Sequence, residues 1–168
     1  MKLPVSPEDV DRAAKRIVGI ARRTPLMRHD ALDERAGAKI LIKPECLQVT
    51  GSFKIRGAAN RIAQTTASQR RAGVVAFSSG NHAQGVARAA RLFGCPATIV
   101  MPKDAPKVKV EGVERDGATI VFYDRNTESR EEIASELSQA SGAVLVPSFD
   151  DPDIVAGQGT CGNVDPSM

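Results

Sequence analysis

From Gly73 onward four short apolar runs recur at nearly even spacing: Val74-Val75-Ala76-Phe77, Ala97-Thr98-Ile99-Val100-Met101, Ala118-Thr119-Ile120-Val121-Phe122 and Ala143-Val144-Leu145-Val146. Runs of this length and apolar density read as strands buried on both faces of a parallel sheet. Between them lie helix-length segments, Asn81 to Phe93, Pro106 to Arg115 and Asn126 to Ala140. Each ends near a glycine, Gly94, Gly117 or Gly142, that can take the left-handed conformation at a helix end. Parallel neighbours require crossover connections, which these helices supply, right-handed by the general rule. The expected fold class is α/β, a four-stranded parallel sheet flanked by helices over about residues 56–147.

Upstream the pattern is less regular. Ser6-Pro7-Glu8-Asp9 reads as a helix start: a capping hydroxyl, Pro at the first helical position and acids at the positive dipole end. Val10, Ala13, Ala14, Ile17 and Val18 then form its apolar face, with Gly19 near its end. Asp30 to Arg35 reads as a short helix closed by Gly37, and Lys39-Ile40-Leu41-Ile42-Lys43 as a strand stopped by Pro44. The expected organisation is an α/β lobe over about 56–147, with residues 1–55 belonging to another lobe.

The length of 168 residues suits one domain or two small lobes. With 42% hydrophobic and 26% charged residues the composition is that of a globular chain, and disordered or fibrous readings fail. Aromatics are 4% and Trp is absent, too few for a base-stacking platform, and the 23 Lys and Arg are interspersed with 20 Asp and Glu, so nucleic acid is not an expected partner. No stretch approaches the ~18 apolar residues of a membrane span and the start has no apolar leader. The expected compartment is the cytoplasm, where the unpaired spacing of Cys46, Cys95 and Cys161 fits reduced thiols. His29 and His82 are the only imidazoles and the acids are scattered, so no metal site is expected.

Two glycine-bearing turns precede helices. In Thr50-Gly51-Ser52-Phe53-Lys54-Ile55-Arg56-Gly57 the hydroxyls are expected to cap a helix whose first turn carries Lys54. A cation there opposes the helix dipole, so a dry setting would depress its pKa and make it a nucleophile for an aldehyde. Position alone suits an ordinary exposed lysine better. In Phe77-Ser78-Ser79-Gly80-Asn81-His82-Ala83-Gln84-Gly85, backbone N–H groups, hydroxyls, an amide and an imidazole gather at a strand's carboxyl end, an arrangement for a small polar or anionic ligand. Ser78 and Ser79 suit N-caps equally well, and His82 suits a structural hydrogen-bonding role better than acid–base catalysis. The GxGxxG and GxxxxGK[ST] fingerprints are absent, as are HExxH and GxSxG.

The ordered set Lys43-Pro44-Glu45, Thr50 to Ala58, Ser78 to Gly85, Met101-Pro102 and Ala156-Gly157-Gln158-Gly159-Thr160 resembles the threonine/serine dehydratase and serine racemase family, pyridoxal-phosphate enzymes of the tryptophan-synthase-β fold type. The resemblance runs from about Thr24 to Thr160, about the N-terminal half of a usual member. It implies that residues 1–55 belong to the large cofactor domain, that 56–147 form the small one, and that 148–168 start a return to the large domain with a divergent tail. It implies that Lys54 forms a Schiff base with pyridoxal 5'-phosphate and then removes the substrate α-proton, with Phe53 beside the ring and Asn81 donating to the ring oxygen. Ser78, Ser79, Gly80, Asn81 and His82 would grip the carboxylate of a small amino-acid substrate. Ser79 sits where racemases of the family carry a second base. The implied reaction turns L-threonine or L-serine, or a hydroxyaspartate, into a 2-oxo acid and ammonia; serine racemase activity is the alternative, and a homodimer the implied assembly.

After Thr160 the family continues with an apolar helix and a glycine-rich phosphate loop, whereas this sequence reads Cys161-Gly162-Asn163-Val164-Asp165-Pro166-Ser167-Met168. Gly, Asn and Pro so close together do not sustain a helix. The expectation is a truncated chain with an incomplete large domain, and a catalytically silent interaction module is the second reading. A generic phosphate- or nucleotide-binding α/β module is the third; it leaves Lys54 unexplained.

Overall fold

The computed structural model describes residues 4–163. Helix α1 (Pro7–Arg16) opens on a reciprocal cap, in which Ser6 Oγ accepts from the Asp9 N–H at 3.3 Å and Asp9 Oδ2 accepts from the Ser6 N–H at 2.8 Å. Helix α2 (Asp30–Ala36) closes at Gly37, which is left-handed. The Lys39–Lys43 segment does not form the expected strand. Among the described residues its pairing is an antiparallel bridge between Met27 and Ile42, with no further strand alongside to extend the ladder. A 3-10 turn at Glu45–Leu47 leads to α3 (Lys54–Ala63), followed by α4 (Ala67–Ala72).

The regular part follows: β1 (Val74–Phe77), α5 (Asn81–Leu92), β2 (Ala97–Pro102), α6 (Lys107–Arg115), β3 (Thr119–Tyr123), α7 (Arg130–Ser141), β4 (Val144–Leu145) and α8 (Pro152–Gly159). All strands pair in parallel, in the order β3-β2-β1-β4. The third and fourth strands start one residue later than the sequence suggests. Helix α7 begins at Arg130, four residues late, because the Ser129 hydroxyl caps it by accepting from the Glu132 N–H. As period-two geometry requires, alternate residues leave opposite faces. Val74, Ala76, Ile99 and Met101 join α3, α5 and α6 in one core, and Val75 and Val100 join Ala134 of α7 in the other.

The larger core extends beyond the sheet, since it also takes in Ile17, Ile55 and Ile154. Helix α3 is central to it, packed between α5 and α8, with α1 against α8. Glycines permit the α3–α8 crossing: a Cβ on Gly157 would stand 2.6 Å from the Arg56 carbonyl oxygen and 2.7 Å from Gly57 Cα. Arg56 fixes the N-terminal segment to the same helix. Its guanidinium grips the Glu45 carboxylate through two 2.8 Å bonds, and Thr24 donates to that carboxylate at 2.6 Å.

Candidate active site

The strand order reverses at β1, because the path runs outward through β2 and β3 and then returns to place β4 on the other side. Crevices beyond the carboxyl ends of strands at such a reversal are the ligand sites of parallel sheets. Here β1 leads into Ser78–Gly80 and α5, while β4 leads into residues 146–148. Three helices send side chains to the segment leaving β4. His82, in the first turn of α5, has Nε2 2.9 Å from the Val146 carbonyl. Lys54, the first residue of α3, donates from Nζ to the Ser148 carbonyl at 2.8 Å, and Gln158 of α8 donates to the same oxygen at 3.3 Å. The two helix starts touch: a Cβ on Gly85 would stand 3.1 Å from the Lys54 carbonyl carbon.

Lys54 therefore faces a neutral carbonyl instead of a carboxylate, and burial pushes its pKa below the ordinary lysine value. Phe53 lies beside it, the ring centroid 5.2 Å from Nζ. The hydroxyls of this turn do not cap α3, contrary to expectation. Phe53 occupies the cap position with no side-chain hydrogen bond, and Thr50 Oγ1 and Ser52 Oγ are buried without a partner in the polypeptide.

His82 is 3% exposed, and burial, with a further push from the nearby Lys54 charge, lowers its pKa to about 4. The ring is neutral at pH 7. Since a carbonyl only accepts, Nε2 carries the proton, and Nδ1 is left as a buried acceptor with no partner in the polypeptide. Ser78, Ser79 and Gly80 are half-buried. Neither serine caps α5; Gly80 holds that position, and its N–H donates to Ser78 Oγ at 3.2 Å. A Cβ on Gly80 would enter open space. The N–H groups of Asn81, His82 and Ala83, ahead of the first intrahelical bond from Gln84 to Gly80, emerge from the helix end.

Lys54 and His82 thus reach the same segment beyond β4, from helices that touch. Ser148 and Lys109 were not marked by the sequence; Lys109 Nζ donates to Asn81 Oδ1 at 2.7 Å and to Gln84 Oε1 at 3.0 Å. No local spacing announces either residue, because both arrive by tertiary approach. A separate cavity of about 370 Å³, bounded by Ile17, Val18, Arg22, Lys43, Arg56 and Thr160, includes none of the crevice residues. Among the described residues no cluster of His, Cys, Asp or Glu could hold a metal ion, and no helix is long and apolar enough to cross a membrane.

The parallel sheet, the lysine at a helix start and the glycine-bearing turn at the strand reversal define the tryptophan-synthase-β-like class of pyridoxal-phosphate folds. The family model for pyridoxal-phosphate dependent enzymes matches residues 17–163, and the chain belongs to that family. It is 57% identical over 152 residues to an L-threo-3-hydroxyaspartate ammonia-lyase of Pseudomonas sp, covering 90% of this chain and 48% of that protein. It is 46% identical over 155 residues to an L-threonine ammonia-lyase of Thermotoga maritima, covering 92% and 39% respectively. The solved structure of maize serine racemase superposes with a TM-score of 0.91 at 41% identity, covering 95% of this chain and 48% of that one. The chain spans about half the length of the relatives it matches.

Proposed function

We propose that this chain supplies the lysine and the substrate-gripping turn of a pyridoxal 5'-phosphate-dependent ammonia-lyase that converts a β-hydroxy amino acid to a 2-oxo acid and ammonia. The carrying observation is the Lys54 amine, lowered in pKa by burial, bound to a carbonyl and seated against the helix that begins at Asn81. The residues present fit the cofactor. A desolvated amine suits an aldehyde, the open space at Gly80 admits a ligand against the backbone, and the outward N–H groups of α5 suit an anion.

When bound, the cofactor supplies an electron sink for the pair left behind by α-proton removal. Lys54 Nζ would hold the cofactor by its aldehyde carbon and, when free, would be the base for the substrate α-proton. Phe53 would flank the ring and Asn81 Nδ2 would donate to the ring oxygen. Ser78, Ser79, Gly80, Asn81 and His82 hold the carboxylate, the N–H groups fixing its plane. His82 stays neutral and ties α5 to the strand end through its Nε2–H, without relaying a proton. Loss of the β-hydroxyl with a proton, as water, leaves an enamine whose hydrolysis by a second water gives the 2-oxo acid and ammonia.

Among substrates, one whose β-carbon bears a second carboxylate is favoured by the name of the 57% identical relative. Ser79 supports a second reading, serine racemisation, in which its hydroxyl serves as the base on the opposite substrate face; the likeness to maize serine racemase agrees with it. The free thiols Cys46, Cys95 and Cys161 support a reducing cytoplasm as the compartment, and a homodimer is the proposed assembly.

Adding pyridoxal phosphate, reducing with borohydride and mapping the peptides tests the assignment. The expected label falls on Lys54, is lost in Lys54→Ala with circular dichroism unchanged, and accompanies 2-oxo acid release from L-threo-3-hydroxyaspartate, L-threonine or L-serine. Release of D-serine without 2-oxo acid selects the racemase. A chain that takes no label is the silent interaction module instead.

A further inference from the structure

The carbonyl end of Asn81 is already taken. Its Oδ1 accepts from the Lys109 ammonium at 2.7 Å, and the same ammonium reaches Gln84 Oε1, one helical turn along α5, at 3.0 Å. An ammonium is a donor only, so both amides must present oxygen to it; a flipped Asn81 would set an NH2 group against an NH3⁺. Helix α6 is in turn held firmly on α5. Gly112 leaves room for the Gln84 amide, which a Cβ there would strike. Val113 is fully buried, and the buried Asp116 carboxylate accepts from Arg88 Nε at 2.6 Å and from Arg91 Nη1 at 3.3 Å.

We propose that Lys109 is a positioning residue for the cofactor: it pins the Asn81 amide with Oδ1 toward α6, so that Nδ2 is left to donate into the crevice. The inference rests on the reading of Asn81 as the partner of the cofactor ring oxygen. An amide released from Lys109 would turn freely and present oxygen to that ring oxygen for part of the time, two acceptors facing each other. The Lys109 charge also polarises the amide it holds, which strengthens the donor at its other end.

Lys109→Met removes the ammonium and keeps most of the stem. In ¹⁵N-labelled protein without cofactor, the expected result is that the Asn81 side-chain NH2 pair loses its dispersion and its heteronuclear NOE while thermal melting shifts little. Titrated pyridoxal phosphate should bind about tenfold more weakly, the loss of roughly one well-placed hydrogen bond. Lys109→Arg, still a donor-only cation, should restore both. Unchanged Asn81 NH2 signals in Lys109→Met overturn the proposal. Asn81→Ala separates it from the reading beneath: undiminished cofactor affinity there refutes the ring-oxygen role of Asn81, whereas the NH2 signals still judge what Lys109 does to the amide.

Discussion

Burial takes His82 out of the group of side chains that titrate near neutrality. Its folded pKa of about 4 lies below the ~6.5 of an exposed imidazole, so between these values the unfolded chain binds a proton that the folded chain refuses. The stability His82 contributes is complete above pH 6.5 and is lost as pH falls toward 4, on the order of 3 kcal/mol in all. Urea unfolding at pH 7 and pH 4 should show this loss, and His82→Gln, whose amide can still donate toward Val146, should lose less by about that amount. Equal losses in the two proteins would remove His82 as the source. A hydrogen bond from His82 was legible from its place at a helix start, but the partner was not, because Val146 lies 64 positions away. Thr50 and Ser52 were legible as turn residues and misleading as caps: both hydroxyls are buried, and the cap falls to Phe53.

Helices α3 and α8 cross through glycine, and the cost of adding a methyl group there is steric. A Cβ on Gly157 would meet backbone atoms of Arg56 and Gly57 at 2.6 and 2.7 Å, neither of which can swing aside as a side chain would. Gly157→Ala should therefore destabilise the fold by about 3 kcal/mol, read as a lower denaturant midpoint at unchanged slope. A smaller loss than 1 kcal/mol would mean that the helices part without penalty. Most elements were readable locally. The apolar runs became strands, and Gly94, Gly117 and Gly142 take positive φ of 61°, 78° and 71° at the ends of their helices. Helices α4 and α8 escaped notice, although Thr66 with Gln69 forms a capping box and Asp151-Pro152 a capped start. In α8 the glycines that permit the crossing weaken the helical signal. Ile40-Leu41-Ile42 failed in the opposite sense, since strand propensity without a neighbouring strand yields a single bridge.

Across the whole molecule, apolar surface is unevenly distributed. Val18 is 77% exposed, Leu41 47% and Met27 51%, on the segment preceding α3. Exposed apolar side chains grouped in one segment favour self-association. Val18→Lys combined with Leu41→Lys should lower the weight-average mass in sedimentation or light scattering at high concentration and leave the melting temperature nearly unchanged. An unaltered mass would show that association, if present, uses another face. The crevice is likewise a property of the whole: Lys54 meets the Ser148 carbonyl 94 positions further along the chain. During translation the amine therefore emerges long before the oxygen that holds it. While the ribosome is still adding the later strands, that nitrogen has neither the carbonyl partner nor the burial that lowers its pKa in the fold. The depressed pKa is therefore acquired only when nearly all of the fold has been synthesised and docked.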